Sequence, residues 1–164
     1  MKPERIWMNM GADNEGDWMD TLFVSLQQER AIARYRIGDH GGLSLQGITA
    51  VPGEPSILNA HSRKSLLYVA LRSTGHLLTL DITGDEPRII ADVDTGLDDP
   101  ACLVFDPSMQ FMVSSYYQSG QVTVYPLSEN GALHEPRSDA AITDLHAHGA
   151  AFDVSGRFLL IPHT

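Results

Sequence analysis

Short apolar runs alternate with polar breaks along the chain, and the runs follow a period of two rather than 3.6. Each run is four to eight residues long and rich in Val, Ile, Leu, Tyr and Thr, the composition of half-buried strands. Strands are predicted near residues 21–26, 31–37 and 43–51, then 56–60, 66–71, 76–82 and 88–93. Further strands follow near 101–105, 111–116, 121–127 and 134–142, and the last two near 149–153 and 158–163. The breaks between them carry turn chemistry: "DHGG" at 39–42, "STG" at 73–75, "TGDE" at 83–86 and "ENG" at 129–131. No segment combines helical periodicity with caps, so the expected fold class is all-β.

The strand text repeats. "LFVSL" at 22–26 returns as "LYVAL" at 67–71 and as "MVSSY" at 112–116, steps of 45, and "LLIPH" at 159–163 follows after 47. Arg30, Gly75 and Gly120 open the next strand of each unit at the same step of 45. A third marker is the turn before the "LYVAL"-type strand, written "NAHSRKSLL", "FDPSMQFM" and "FDVSGRFLL". A repeat of this length carrying four short strands is the pattern of a β-propeller blade. Blades are expected near 20–52, 53–97, 98–144 and 145–164, the last incomplete, behind an N-terminal leader at 1–19. That gives about three to three and a half blades, where closed rings use about four to eight. The first blade lacks an obvious innermost strand unless "IWMNM" at 6–10 supplies it. The expectation is a partial propeller from a longer protein, with open edges prone to self-association.

Aligning the units places His146-Ala147-His148 on Asp99-Pro100-Ala101 and on Glu54-Pro55-Ser56. All three lie where the outer strand of one blade crosses to the innermost strand of the next, at a mouth of the central channel. Two units carry proline at this crossing and the fourth carries two imidazoles, a break in symmetry that marks a candidate site. On extended backbone His146 and His148 point the same way. A histidine placed there can act as general base towards water, as acid towards a leaving oxygen, or as an anion-binding donor.

Composition narrows the functions. A net charge of −10 with scattered Lys and Arg gives no basic stripe for nucleic acid. The densest basic group, Arg30, Arg34 and Arg36, reads as a solvated outer face. The apolar runs are too short for a membrane helix, so no membrane partner is expected. The single Cys102 permits no internal disulfide, and the N-terminus shows no secretory signal, which points to the cytoplasm. Cys102 is read as a buried inert thiol. "DVDTGLDD" at 92–99 departs from a calcium loop at positions five and twelve, Gly96 and Leu103. His40, His61, His76 and His134 show no metal-ligand spacing, Ser25, Ser114 and Ser115 have no histidine at fixed distance, and no cofactor fingerprint occurs, so neither metal nor cofactor is expected.

The stretch "HAHGAAFDVSGRFLLIP" resembles the H-P-H, strand and S-P-D-G-R-F turn of the lactonase-type seven-bladed propellers. That family includes the propeller form of 6-phosphogluconolactonase and the carboxymuconate-lactonising enzyme. "PGEPSILNAHSRKSLLYVALRSTGHLLTLDI" and "SYYQSGQVTVYPLSENGAL" are similar to its blade text, so the resemblance covers about Asp20 to Thr164. It implies a seven-bladed ring and an active-site role for His148, aligned with the second His of H-P-H, with His146 on the first. Ala147 departs from the proline, and Val154-Ser155 from the Pro-Asp of the turn. The resemblance also implies essential Arg and Glu residues in blades beyond Thr164. The function it implies is hydrolysis of a sugar lactone, 6-phospho-D-glucono-1,5-lactone foremost, with no cofactor. The alternatives are a non-catalytic binding or scaffold propeller and a muconate-lactonising isomerase. Of the two histidines, His148 is expected to matter more, because it directly precedes the innermost strand and Gly149 and Ala150 leave space for a substrate ring.

Overall fold

Antiparallel hairpins joined in series make up the computed structural model, which describes residues 20–135 and 137–164. The expected leader and the strand at 6–10 lie outside the described residues. The first sheet runs β1 (Thr21–Leu26), β2 (Ala31–Ile37), β3 (Leu43–Ala50). A four-stranded sheet follows: β4 (Pro55–Ala60), β5 (Leu66–Leu71), β6 (His76–Asp81), β7 (Arg88–Asp94). The next repeats it with β8 (Pro100–Phe105), β9 (Phe111–Tyr116), β10 (Gln121–Pro126) and β11 (Asp139–Ile142). The last pair is β12 (Ala151–Phe152) and β13 (Leu159–Leu160). No helix among the described residues is long and apolar enough to cross a membrane. This is an all-β, blade-like architecture at the expected repeat.

Three strands are shorter than their text suggests. The outer strand expected over 134–142 begins only at Asp139, because Leu133 is held back by a bridge to Leu127 and the His134 N–H donates to the Pro126 carbonyl. The last two shrink to two residues each, with an isolated bridge between Ala147 and His163 continuing their pairing.

Burial on both faces explains the near-continuous apolar text of the second strand in a unit. Leu66 to Leu71 are all buried, and alternate residues serve different neighbours. Leu67, Val69 and Leu71 join Phe23, Ile32 and Leu58 in the core against the first sheet. Leu66, Tyr68 and Ala70 join Leu103, Met112 and Tyr125 in the core against the third. Inner strands meet across these seams: the Asn59 amide donates to the Leu103 carbonyl at 2.9 Å, and the Ser25 hydroxyl to the Ser56 carbonyl at 3.4 Å. At the two ends apolar side chains lie open, Leu43, Leu45 and Ile48 of the outer strand β3 on one side and Phe158 and Leu160 on the other.

The other two markers are turn chemistry that recurs for a physical reason. Arg30, Gly75 and Gly120 all adopt positive φ, at 50°, 69° and 65°. At Gly75 and Gly120 the returning outer strand presses backbone against the residue, so a Cβ would stand 1.8 Å from the Leu97 carbonyl oxygen or 2.1 Å from that of Asp144. The pre-strand marker is a carboxylate turn. Asp153 accepts from the Ser155 hydroxyl (2.6 Å) and from the Ser155, Arg157 and Phe158 amides, and Asp106 repeats the set with Ser108, Gln110 and Phe111. The Ser155 hydroxyl and the Phe158 amide hold the Asp153 carboxyl at about 2. In the second blade His61 takes the aspartate's place, its Nδ1 accepting the Arg63 N–H at 3.0 Å. Burial, then the Lys64 and Arg63 charges, lowers its pKa, keeping that lone pair available.

The two kinds of glycine predict different costs. Gly96 is left-handed (φ 65°), and a Cβ there would meet no atom within 4 Å, so Gly96→Ala should cost only the backbone strain, about 1–2 kcal/mol. Gly120→Ala adds a clash with backbone that cannot yield. Urea unfolding should therefore place Gly120→Ala well below Gly96→Ala in stability, and equal midpoints would contradict this packing.

Candidate active site at the blade crossing

The crossings from outer to inner strand are tied together by main-chain hydrogen bonds. Within each blade the N–H that follows the second strand reaches the crossing residue: Arg72 to Glu54 O (2.8 Å), Tyr117 to Asp99 O (3.0 Å), Thr164 to His146 O (3.3 Å). Between blades the crossing residue donates backwards: Asp99 to Arg72 O (3.3 Å) and His146 to Tyr117 O (2.8 Å). A belt of alternating links thus runs 54–72–99–117–146–164. The next residue in each unit, Pro55, Pro100 and Ala147, is buried and pairs with Leu71, Tyr116 and His163.

Donating to the blade behind while continuing into the blade ahead requires a sharp reversal. Asp99 and His146 both make it with positive φ, 59° and 64°. This region disfavours residues with a Cβ, but Asp and His are among those that tolerate it best. His146 is therefore not on extended backbone, and the alternation argument for the pair fails. Both rings instead pack on Tyr117. His146 stacks on it (centroids 4.7 Å apart, planes at 17°) and His148 stands edge-on (5.8 Å, 80°). In the preceding unit the same two positions hold an ion pair, Arg72 Nε to Asp99 Oδ1 at 2.6 Å.

The hydrogen bonds distinguish the imidazoles. Nδ1 of His146 lies 3.1 Å from the Thr164 carbonyl oxygen. A carbonyl only accepts, so this Nδ1 carries the proton and Nε2 of the neutral ring keeps its lone pair. His163 is fixed in the same tautomer by the Leu145 carbonyl at 3.0 Å. The ring of His148 makes no hydrogen bond among the described residues; its main-chain N–H donates to the Pro162 carbonyl at 3.0 Å. Both rings are exposed. Gly149 does not open space beside them as expected, because its face is packed by Pro162, whose Cγ would lie 3.1 Å from a Cβ. The crossing seats both imidazoles on one tyrosine, His146 anchored through Nδ1 and His148 with no hydrogen bond to its ring among the described residues.

A family model described as "Lactonase, 7-bladed beta-propeller" matches residues 21–163. The chain belongs to that lactonase family. A 6-phosphogluconolactonase of Photorhabdus laumondii is 26% identical over 131 residues, covering 77% of this chain and 39% of the relative. One from Yersinia enterocolitica is 25% identical over 142 residues, covering 86% and 42%. A solved Bacteroides uniformis protein, described as a candidate 6-phosphogluconolactonase, superposes with a TM-score of 0.80 at 15% identity over 90% of this chain and 45% of that one. At that identity the likeness shows the fold. The chain spans about two-fifths of the length of the curated relatives it matches.

Tyr117, which holds this lactonase-family crossing together, was not singled out from the sequence, although it lies 45 residues after Arg72 at the same place in the unit. Other singled-out residues have structural partners. Cys102 faces the Ala150 carbonyl (3.9 Å) across the seam to the last pair of strands, and burial raises its pKa, away from a nucleophilic thiolate. In the 92–99 segment Asp92 pairs with His76 (2.7 Å), Asp94 caps the Gly96 N–H (3.0 Å), and Asp99 holds Arg72. Arg30 and Arg36 are exposed, and the half-buried Arg34 reaches the Gly84 carbonyl at 2.8 Å, an exposed link to the second blade.

Proposed function

We propose that the chain carries part of the active site of a sugar lactonase, opening a lactone of the 6-phospho-D-glucono-1,5-lactone type by hydrolysis. The supporting observation is the imidazole pair seated on Tyr117 at the crossing, in a chain whose relatives are named 6-phosphogluconolactonases. His148, with both ring nitrogens free, is the general base. It accepts a proton from water as the water oxygen bonds to the lactone carbonyl carbon. The tetrahedral intermediate collapses by breaking the ring C–O bond, and the proton passes from His148 to the departing ring oxygen. The new carboxyl group then releases its own proton to solvent. His146, anchored through Nδ1, presents Nε2 to the same ligand and keeps the Tyr117 ring in place. The developing oxyanion calls for cationic donors. Arg72 is held by Asp99, so these fall to the arginines that the family resemblance implies in further blades. A reducing cytoplasm suits the single Cys102.

His148→Ala should lower lactone hydrolysis by about two to four orders of magnitude, the usual range for a positioned acid or base, and His146→Ala by less. Unfolding midpoints of the His148 variant should stay near the parent's, since an exposed ring without hydrogen bonds contributes little to stability. Full activity in a folded His148→Ala protein would remove the histidine from the mechanism.

The apolar faces at the two ends, around Ile48 and Phe158, are where the isolated 164-residue chain should associate with itself. Size-exclusion chromatography should show concentration-dependent assembly that Ile48→Lys with Phe158→Glu reverses. A strictly monomeric chain at high concentration would contradict it.

A further inference from the structure

Comparing the second and third blades position by position shows one substitution of character. Val69, Leu71, Leu78 and Leu80 of the second blade lie in the apolar core against the first. Their counterparts 45 residues on are Ser114, Tyr116, Thr123 and Tyr125. These four share one face. Ser114 and Thr123 are register partners, Tyr116 follows Ser114 by strand alternation, and Tyr125 lies in the core against the second blade with Tyr68 and Leu77. Each is 2% exposed or less, and none of the four hydroxyls has a hydrogen-bond partner among the described residues. Tyr125 also feels its neighbours: burial and the adjacent Tyr116 phenol raise its pKa while the Thr123 hydroxyl lowers it, so the three hydroxyls lie close together, though none completes a hydrogen bond to another. Polar groups on the facing blade are satisfied. The Tyr68 hydroxyl donates to the Gly131 carbonyl, and Thr79 Oγ1 accepts the Leu133 N–H at 3.0 Å.

A buried hydroxyl left dry costs more than a made hydrogen bond returns, and four together would be a heavy burden for one seam. The neighbouring blade demonstrates the apolar alternative at the same positions. We infer that the seam between the second and third blades is an internal hydration site, where ordered water is bound by the hydroxyls of Ser114, Tyr116, Thr123 and Tyr125. Clustered hydroxyls suit this ligand, because a buried water typically makes about three hydrogen bonds and can both donate and accept. Ala70, on the facing side of the seam, contributes only a methyl group there. Tyr116 forms the end of the site nearest the crossing, one residue before Tyr117. Ser115, whose hydroxyl is also unpartnered, points to the opposite face and is not part of it.

The test removes hydroxyls without changing shape: Tyr116→Phe, Tyr125→Phe, Thr123→Val and Ser114→Ala in the full chain. A hydrated seam predicts that each variant lowers the urea midpoint, and that Tyr116→Phe with Tyr125→Phe is non-additive because they share water. Unchanged or raised midpoints would mean that the hydroxyls are dry and would overturn the site. A second measurement on the parent protein does not depend on any variant folding. A crystal structure or long-lived water cross-relaxation in NMR should show water touching at least two of the four hydroxyls. A dry seam, or direct Tyr116–Tyr125 bonding in place of water, would overturn it.

Discussion

The alternating main-chain links through Glu54, Arg72, Asp99, Tyr117, His146 and Thr164 are what the rest of the structure hangs on. Sheets in a propeller-like stack touch through side chains that any well-packed core could supply. The belt adds direction, because Asp99 and His146 each donate their N–H to the blade behind and accept at their C=O from the blade they open, whereas the Glu54 N–H turns to Ser73 Oγ of its own blade. Satisfying both groups fixes how far one sheet turns against the next. The requirement is met only where the crossing residue takes the left-handed conformation, as Asp99 and His146 do. Strain of this kind is retained where surrounding structure over-determines it, and such positions cluster at functional sites.

Once the belt sets the frame, each blade can change its side chains without changing its backbone. At the pair of positions it brings together, one unit holds Arg72 against Asp99 and the next holds Tyr117 against His146. The first is an ion pair half open to solvent, worth little to stability. The second converts a structural joint into a platform that also meets His148. The same logic appears on the seam face, where apolar residues of the second blade give way to hydroxyls in the third. Both departures from the repeat change side chains and leave the backbone frame as it is.

The periodic parts were legible in the sequence because they obey local rules. The strands from 21 to 126 end within a residue of where the pattern puts them, since β5 and β9 are buried on both faces and the turn residues bound each run. The markers at Arg30, Gly75 and Gly120 and at Asp106 and Asp153 are turn residues with fixed jobs, and so survive from unit to unit. The candidate site was half legible. His146 and His148 stood out as a break in the pattern, yet their arrangement was misread, because the left-handed backbone at His146 goes with a hydrogen bond to another blade. Tyr117 was missed for the same reason: its partners lie 29 and 31 residues away. The packing of Pro162 on Gly149 and the late start of β11 are likewise tertiary effects, invisible to strand periodicity.

Amide hydrogen exchange resolved by residue tests the belt most directly. Asp99, Tyr117 and His146 lie outside the strands, and the His146 side chain is exposed, so a loop without the belt would exchange there almost freely. The belt predicts that these three N–H groups exchange slowly, with protection approaching that of the buried strands β5 and β9. Rapid exchange at His146 and Asp99 beside a protected β9 would show that the blades stack without it, and would remove the structural basis for the paired imidazoles.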